Sequence, residues 1–445
     1  MARANTAVGR IAYVNARLLD PATGLDAVGG ILTDGELIAD VGAGLFNGGA
    51  PVGATVVDCD GACLAPGLVD MRVHLREPGA EHKETIVTAS SAAAAGGVTS
   101  MVCLPNTDPP IDNVAVLEFV ARRAREAKLV KIFSYGAITQ GLKGEELAEI
   151  GLLHEAGALA FTDGRRAVAN ASVMRRALSY ARTFGALIVN HPEEPMLAAD
   201  GVMNEGEAST RLGLPGITPM AEIIMIDRDL RLVELTNGRY HAAHISTAAA
   251  VHAIRQAKQR GLNVTCDTAP HYFALNEYAV GDYRTFAKVS PPLRSEDDRQ
   301  AIVEGLADGT IDAIASDHAP QDQDSKRLPF AQAAFGIIGL ETLLPLALEI
   351  YHNGRWTLLD MIRTLSLRPS QILGLPSGKL VKGAAADFVL FDPNKPRQID
   401  VSHFRSKSKN SPYDARPVQG IVLRTVVDGR TVYAASRNSI QNSGN

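Results

Sequence analysis

Short apolar runs alternate with stretches of helical periodicity through most of this chain, and this alternation constrains its fold more than any other feature. The first two apolar runs span residues 68–73 and 98–104, and helical patterns at 85–95 and 114–127 follow them. The predicted strands of the series are residues 68–73, 98–104, 132–137, 158–161, 187–189, 238–244, 262–265, 285–289 and 311–315. About eight such strand–helix repeats predict an α/β fold with a parallel (β/α)8 barrel of the TIM type.

Short β-like runs of a different kind occur at both ends of the chain. Before the barrel pattern they lie within residues 11–41, separated by Asp, Gly and Pro turns, and after it they return within residues 388–433. Two terminal β pieces that flank one barrel pair most economically into a single β-sandwich. We therefore predict a composite β-sandwich from residues 1–64 and 375–434, a barrel from 65–374 and a polar tail from 435–445.

Composition and charge narrow the classes of function. The chain has 445 residues, of which 46% are hydrophobic and 21% charged, as expected for a globular protein with a large core. A net charge of −5 and the absence of a long basic block argue against nucleic-acid binding. No run approaches the roughly 18 apolar residues of a membrane span, and residues 1–10 lack a signal-peptide core. We expect a cytoplasmic protein that acts on a small molecule.

Four cysteines lie in strand-like segments, at positions 59, 63, 103 and 266. None belongs to a CxxC pair of the kind that binds zinc or carries redox chemistry. The sequence therefore favours four buried free thiols.

Polar residues follow several of the predicted barrel strands directly. His74, His191 and His244 each end an apolar run, and Asp317 follows the last one. Catalytic groups of such barrels project from the C-terminal ends of the strands, so these side chains are expected on one rim. Any one of the histidines alone is more often a hydrogen-bonded core residue, and Asp317 alone is a typical helix N-cap. Their recurrence at equivalent positions favours a hydrolytic zinc site.

The same segments resemble the motifs of class I dihydroorotases, a family of the cyclic amidohydrolase superfamily. Residues 65–79 (APGLVDMRVHLREPG) are similar to the opening motif of that family, and residues 316–320 (SDHAP) to its closing one. Further collinear matches are residues 104–107, 212–217, 244–247, 291–295, 335–342 and 410–412. Such an ordered series of matches spans most of the chain and makes the resemblance specific.

The resemblance implies reversible hydrolysis of dihydroorotate to N-carbamoyl-aspartate, a step of pyrimidine biosynthesis. It implies that Asp317 takes the proton of the attacking water and delivers it to the leaving nitrogen. The implied metal ligands are His74, Asp163, His191, His244 and Asp317. The implied substrate-binding residues are Arg76, Asn106, Ser290, Gln321, Phe335 and Gly336. Arg76 also has a plainer interpretation, a salt bridge at the rim.

Two departures from the family pattern affect the metal. Arg72 stands in place of the first of two histidines on the first strand, and a guanidinium cannot ligate zinc. Gly164 stands at the second of two consecutive aspartates, which leaves only Asp163 as a possible substitute. Residues 158–163 contain no lysine, so the carboxylated-lysine bridge of hydantoinases is also missing. We therefore expect at most one zinc per chain.

Two further departures lie in the implied substrate pocket. Ser290 stands where an asparagine is usual, and Gln321 stands where a substrate-contacting histidine is usual. Both replacements are polar and retain hydrogen-bonding capacity. Substrate binding is thus altered in detail rather than lost.

Three functions remain open at this point. The first is a working dihydroorotase, expected as a homo-oligomer, with one zinc held by His191, His244 and Asp163. The second is a catalytically impaired dihydroorotase-like subunit without metal that acts as a structural partner of aspartate transcarbamoylase. The third is a hydrolase of another cyclic amide, similar to hydantoinases. The charge of Arg72 favours the second, whereas six polar groups retained on one rim favour the first.

Overall fold

The computed structural model describes residues 9–435 of the chain. Its strands are β1 Ile11–Asp20, β2 Leu25–Asp34, β3 Leu37–Ala43, β4 Thr55–Asp58, β5 Cys63–Pro66, β6 Leu68–Val73, β7 Val98–Cys103, β8 Lys131–Ser134, β9 Leu187–Asn190, β10 Met203–Asn204, β11 Gly216–Ile217, β12 Arg239–Ala242, β13 Val264–Thr268, β14 Ala313–Ile314, β15 Phe388–Gln398, β16 Pro417–Val427 and β17 Arg430–Ala434. All but the first residue of the predicted polar tail, 435–445, lies outside this range.

The α-helices of the same range are α1 Ile86–Ala95, α2 Val114–Ala127, α3 Ile150–Glu155, α4 Ala171–Thr183, α5 Pro195–Ala198, α6 Glu207–Leu212, α7 Met220–Thr236, α8 Ala248–Gln259, α9 Pro270–Ala274, α10 Glu296–Ala307, α11 Gln323–Arg327, α12 Leu343–His352, α13 Leu358–Ile362 and α14 Arg368–Leu373. Short 3-10 turns lie at Gln140–Leu142, Glu277–Val280, Thr285–Ala287 and Val401–His403, and Arg363–Leu367 is π-helical.

Parallel strands close into a barrel at the centre of the molecule. Strands β6, β7 and β8 form one parallel group, and β9, β12, β13 and β14 form another. Phe161 joins the groups through parallel bridges to Gly136 and Ile188, and a parallel bridge between Val73 and His318 closes the ring. The predicted (β/α)8 barrel is confirmed, with the segment around Phe161 as its fourth strand.

The barrel helices start where local side chains satisfy their first backbone N–H groups. The side-chain oxygens of Thr85, Thr247 and Ser295 accept hydrogen bonds from backbone N–H groups in the first turns of α1, α8 and α10. Such caps typically contribute about 1 kcal/mol each. They fix where each helix begins, and therefore where the preceding strand ends and its functional side chain lies.

One predicted strand, at residues 285–289, is wrong. The segment Thr285–Ala287 forms a 3-10 turn, and the chain beyond it is held by the buried side chain of Lys288. The ammonium group of Lys288 donates hydrogen bonds to the carbonyl oxygens of Phe330 and Ala331, at 2.8 and 3.0 Å. A short apolar run is compatible with either structure, and here contacts with a distant loop decide the outcome.

The two ends of the chain meet in one sheet beside the barrel. Its strand order is β17-β16-β15-β5-β1-β2-β3, and β4 pairs with β1. Strand β5 from the N-terminal part and β15 from the C-terminal part pair antiparallel, with Leu64 opposite Leu390. Tyr13 and Phe388 pack edge to face beneath the sheet, with ring centroids 4.9 Å apart. The predicted domain bounds remain a prediction, but the terminal β segments do share hydrogen bonds.

Two sequence-based expectations concern features outside the barrel mouth. Within residues 9–435, no helix combines the length and the apolarity needed to cross a membrane. The four cysteines are buried and free, as predicted. Burial raises the pKa of the Cys63 thiol to about 11, so this side chain behaves as a small apolar residue.

The shared sheet allows a test of its contribution to stability. Phe388 is fully buried against Tyr13, so Phe388→Ala should lower the free energy of unfolding by about 3–5 kcal/mol in urea denaturation. Val28 is 70% exposed, so Val28→Ala should change the free energy of unfolding by less than about 0.5 kcal/mol. Equal effects of the two substitutions would show that the shared core does not carry the stability assigned to it.

Candidate active site

The barrel places four of the predicted site residues at the carboxyl ends of its strands. His74 follows β6, His191 follows β9, His244 comes two residues after β12, and Asp317 comes three residues after β14. The three imidazoles are at most 2% exposed, and Asp317 is 6% exposed. Parallel strands present these ends on one rim, and the following contacts link the side chains there.

His191 and His244 contact each other directly. The His191 Nδ1 and His244 Nε2 atoms are 2.7 Å apart, and the rings stack with centroids separated by 4.8 Å. Asp267 accepts a hydrogen bond from the backbone N–H of His244 at 2.7 Å. It thereby holds His244 at a φ of 38°, a left-handed conformation that non-glycine residues rarely adopt. The two imidazoles therefore form a rigid, hydrogen-bonded pair.

The outer edge of His191 faces an acidic group that sequence analysis did not single out. The His191 Nε2 atom lies 3.4 Å from Glu193 Oε2, and the Ser290 hydroxyl donates to the same oxygen at 3.0 Å. Burial raises the pKa of Glu193, but His191 and Ser290 outweigh it and leave the pKa below its ordinary value. Ser290, predicted to bind substrate, is thus engaged by this carboxylate.

Arg72 occupies the centre of the rim and pairs with Asp317. Its Nε donates to Asp317 Oδ1 at 2.9 Å, and its Nη2 donates to the carbonyl oxygen of Gly164 at 3.3 Å. Both charged side chains are nearly inaccessible to solvent. Each charge is the main compensation for the other, because an isolated buried ion costs several kcal/mol.

Asp70, inside the barrel, fixes both halves of this ion pair. One oxygen of Asp70 accepts hydrogen bonds from the backbone N–H groups of Arg72 and Ser316, both at 3.1 Å. Burial raises the pKa of Asp70 to about 6. The carboxyl group ties the first and last barrel strands together beneath the rim, and Asp317, the neighbour of Ser316, is held at a φ of 47°.

His74 lies between Asn106 and the arginines. Its Nδ1 is 3.1 Å from Asn106 Oδ1, while its Nε2 is buried without a hydrogen-bond partner among residues 9–435. Burial, and then the positive charges of Arg76 and Arg72, hold the pKa of His74 well below its usual range. Burial and Arg72 act on His244 in the same direction. Both imidazoles are therefore neutral near pH 7.

Arg76 and Asn106, the predicted carboxylate-binding residues, are arranged with unused donors. Arg76 donates from Nε to the carbonyl oxygen of Pro320 at 3.1 Å, and its buried Nη2 has no partner in the described part of the chain. Burial lowers the pKa of Arg76 to about 10, so the guanidinium stays charged at neutral pH. Among residues 9–435 Arg76 forms no salt bridge, and its hydrogen bond goes to a neutral carbonyl group.

The remaining predicted substrate residues form one connected loop. Gln321 accepts a hydrogen bond from Lys83 and donates one to the carbonyl oxygen of Phe335, both at 2.8 Å. Gly336 has a φ of 113°, and a Cβ there would lie 2.7 Å from the Cβ of Ala319. Only glycine fits this position without strain, so the loop that presents Phe335 to the barrel mouth depends on it.

Three cations near this loop were not predicted to be functional. The guanidinium of Arg165 and the ammonium of Lys288 lie 5.5 and 4.5 Å from the ring centroid of Phe335. Burial lowers the pKa of Lys288 to about 8 and, with help from neighbouring cations, the pKa of Lys326 to about 7. Arg165 directly follows Gly164, where the family motif is altered. This charged residue was the signal that the sequence offered.

Comparison with known proteins agrees with the fold and identifies the family. A family model described as Dihydro-orotase-like matches residues 61–250, and one described as Amidohydrolase family matches residues 237–433. The dihydroorotase of Anaplasma phagocytophilum is 50% identical over 96% of this chain and 95% of that protein. The dihydroorotase of Pelobacter propionicus is 51% identical over 94% of this chain and 98% of that protein.

Solved structures show the same architecture. An L-hydantoinase (dihydropyrimidinase) from Arthrobacter aurescens superposes with a TM-score of 0.84 at 26% identity, covering 95% of this chain and 96% of that one. A dihydropyrimidinase from Brevibacillus agri gives a TM-score of 0.82 at 23% identity, covering 96% and 95%. The barrel with its joined terminal sheet and strand-end histidines defines an amidohydrolase. Within that class, the chain belongs to the dihydroorotase family.

Membership of this family implies a metal cofactor, and the donor atoms allow its fit to be tested. Two imidazole nitrogens bound to one tetrahedral zinc would lie about 3.3 Å apart, given bonds of about 2.0–2.1 Å. Here the nitrogens of His191 and His244 are 2.7 Å apart, in direct hydrogen-bonding contact. Within residues 9–435, no group of three or more His, Cys, Asp and Glu side chains is arranged to hold a metal ion.

The two carboxylates predicted as ligands are also engaged. Asp163 accepts hydrogen bonds from the backbone N–H groups of Ile138 and Thr139 on one oxygen, and from the Thr139 hydroxyl on the other. Asp317 is held by Arg72, whose charge repels a cation. As arranged, these residues do not fit a metal ion.

The buried ion pair predicts a large coupling between its partners. Arg72→Met leaves the charge of Asp317 buried and unpaired, so it should lower the free energy of unfolding by about 3–5 kcal/mol. Adding Asp317→Leu should restore much of this loss, and urea denaturation of the single and double variants measures the coupling.

The exposed pair between Arg260 and Glu234 provides the matched control. Single and double substitutions at that pair should change the free energy of unfolding almost additively, because solvent screens the two charges. Additive losses at Arg72 and Asp317 as well would contradict the role assigned to their contact.

Proposed function

We propose that this protein is a dihydroorotase, which opens the ring of dihydroorotate to N-carbamoyl-aspartate and closes it again. The observation that carries the proposal is the 50% identity, over 428 residues, to a protein named dihydroorotase. The strand-end residues at the barrel mouth support it, because they offer both carboxylate recognition and acid–base groups. The chemistry below is assigned to side chains of this chain alone.

Arg76 and Asn106 are assigned to the carboxylate of the ring. The free Nη2 of Arg76 is a charged donor, and charge-assisted hydrogen bonds to a carboxylate are the strong ones. Asn106 is held in place through its carbonyl oxygen by His74, which leaves its amide N–H groups as donors. Together they orient the ring against the rim.

Asp317 is assigned to proton transfer. Ring opening adds water to the amide carbonyl, so one group must accept a proton from water and return one to the leaving nitrogen. Asp317 Oδ1 is held by Arg72, whereas its Oδ2 accepts no hydrogen bond from residues 9–435. The fixed charge of Arg72 lies beside this carboxylate and stabilises negative charge that develops on the attacked oxygen.

Zinc, at no more than one per chain, is the metal that the family resemblance predicts. Of its five predicted ligands, the three expected to hold a single zinc are His191, His244 and Asp163, but these residues bond to each other or to backbone groups instead. Bound zinc would supply a Lewis acid and an activated nucleophile. The arrangement of these donor atoms favours a site in which cationic side chains of this chain, rather than a metal ion, supply the positive charge.

A second candidate function follows from the same ion pair. A carboxylate held by a buried guanidinium is hindered as a base, which favours a catalytically impaired subunit that acts as a structural partner of aspartate transcarbamoylase. Under this alternative the barrel retains its fold and binds no zinc. The predicted cytoplasmic location and homo-oligomeric state apply to both candidates and remain predictions.

Substitution of Asp317 tests the assigned chemistry. Asp317→Asn is nearly isosteric but cannot accept the proton, so turnover of dihydroorotate should fall by about 10²–10⁴-fold. The variant also leaves the buried Arg72 without a charged partner, so circular dichroism at the assay temperature checks that it is folded. Asp324→Asn, at an exposed position in α11, should leave turnover unchanged. The same assay with hydantoin and dihydrouracil should show no turnover. Near wild-type activity of Asp317→Asn would exclude the assigned role.

Zinc content tests the predicted metal stoichiometry, and turnover together with complex formation separates the two candidates. Elemental analysis of the purified protein should give at most one zinc per chain, because Arg72 and Gly164 replace ligands that a two-metal centre requires. Two equivalents of zinc would refute this expectation. Absent turnover of dihydroorotate, together with co-elution with aspartate transcarbamoylase in size-exclusion chromatography, would support the second candidate over the first.

A further inference from the structure

Two adjoining cavities form one cleft across the barrel mouth. Their volumes are about 520 and 290 Å3, and Leu142, Arg165 and Arg166 line both. The larger cavity reaches His191 and Glu193, whereas the smaller one reaches Asn106 and Asp163. Arg165 therefore lies between the carboxylate-binding side of the site and its histidine pair.

The backbone next to Arg165 lies close to the side of the site that is assigned to the substrate carboxylate. Gly164 has a φ of 69°, and a Cβ there would lie 3.3 Å from the side chain of Asn106. The carbonyl oxygen of Gly164 also accepts the hydrogen bond from Arg72. The neighbouring Arg165 thus follows a backbone position that has little room for a side chain beside Asn106, a predicted substrate residue.

Arg165 has no anionic partner of its own. Among residues 9–435 it forms no ion pair and donates no side-chain hydrogen bond, and its contact is with the face of Phe335. Burial lowers its pKa, while Asp317 and Glu193 act in the opposite direction. The carboxylate of Asp317 is already taken by Arg72, and that of Glu193 by His191 and Ser290.

The surroundings of Arg165 carry a surplus of positive charge. Arg76, Lys288 and Lys326 donate their hydrogen bonds to neutral carbonyl groups, so none of them neutralises a carboxylate nearby. Arg165 is half-buried, and a partly desolvated guanidinium without a charged partner is stabilised when an anion joins it. The cleft therefore suits a ligand with two negative groups better than a ligand with one.

We propose that Arg165 binds the second carboxylate of N-carbamoyl-aspartate, which ring opening creates, while Arg76 and Asn106 hold the first. Dihydroorotate carries one carboxylate and its open form carries two, so Arg165 distinguishes the two ligands. Recognition by guanidinium groups needs no metal ion. This inference rests on the proposed function for the identity of the ligand, and it assigns Arg165 as the residue that sets specificity for the open form.

Calorimetric titration of the full-length protein with each ligand, in the presence of a chelator, tests the proposal. Arg165→Gln should weaken binding of N-carbamoyl-aspartate by about 10- to 100-fold, the range expected for one charge-assisted contact. Its effect on dihydroorotate should be less than about threefold, and Arg165→Lys should recover part of the lost affinity. Arg166→Gln is the matched control, because Arg166 is the exposed neighbour that lines the same cavities.

Any other pattern of binding counts against the proposal. Equal losses for both ligands, or no loss for N-carbamoyl-aspartate, would show that Arg165 does not recognise the second carboxylate. Loss of wild-type binding on chelation would show that a metal ion makes the contact instead. Binding of N-carbamoyl-aspartate through Arg165 without turnover would leave the proposal standing and would overturn only the proposed dihydroorotase activity. Binding of neither ligand by the wild type would overturn both.

Discussion

The contact between Arg72 and Asp317 is the constraint on which the barrel mouth depends. Two opposite charges are buried there at 2.9 Å, where neither is stable without the other. Asp70 holds the backbone on both sides of the contact, and the carbonyl oxygen of Gly164 takes a further guanidinium N–H. The first, fourth and last strands of the barrel are therefore linked through one side chain.

This link determines what the rest of the rim can do. Because a fixed cation occupies the centre, the histidines pair with each other, and neutral imidazoles are favoured over charged ones. Arg76 and Arg165 add further positive charge near His74. A barrel of the dihydroorotase family thus presents guanidinium groups at its mouth, and Asp317 is the residue to which we assign the acid–base chemistry.

Much of this arrangement could be predicted from the sequence, since strand alternation sets the barrel and strand ends set the positions of His191 and His244. Other parts could not. An apolar run at residues 285–289 has no periodicity that separates a strand from a turn. Asp163 was predicted as a substitute for the ligand missing at Gly164, but its carboxylate accepts hydrogen bonds from nearby backbone N–H groups instead. No sequence rule shows where a long side chain such as Arg165 points, because tertiary packing decides it.

The most direct test of this account is anomalous diffraction at the zinc edge from crystals grown with a zinc salt. We expect the guanidinium of Arg72 to remain bonded to Asp317 and no anomalous peak to lie between His191 and His244. A strong peak coordinated by both imidazoles, with Arg72 displaced from Asp317, would contradict it.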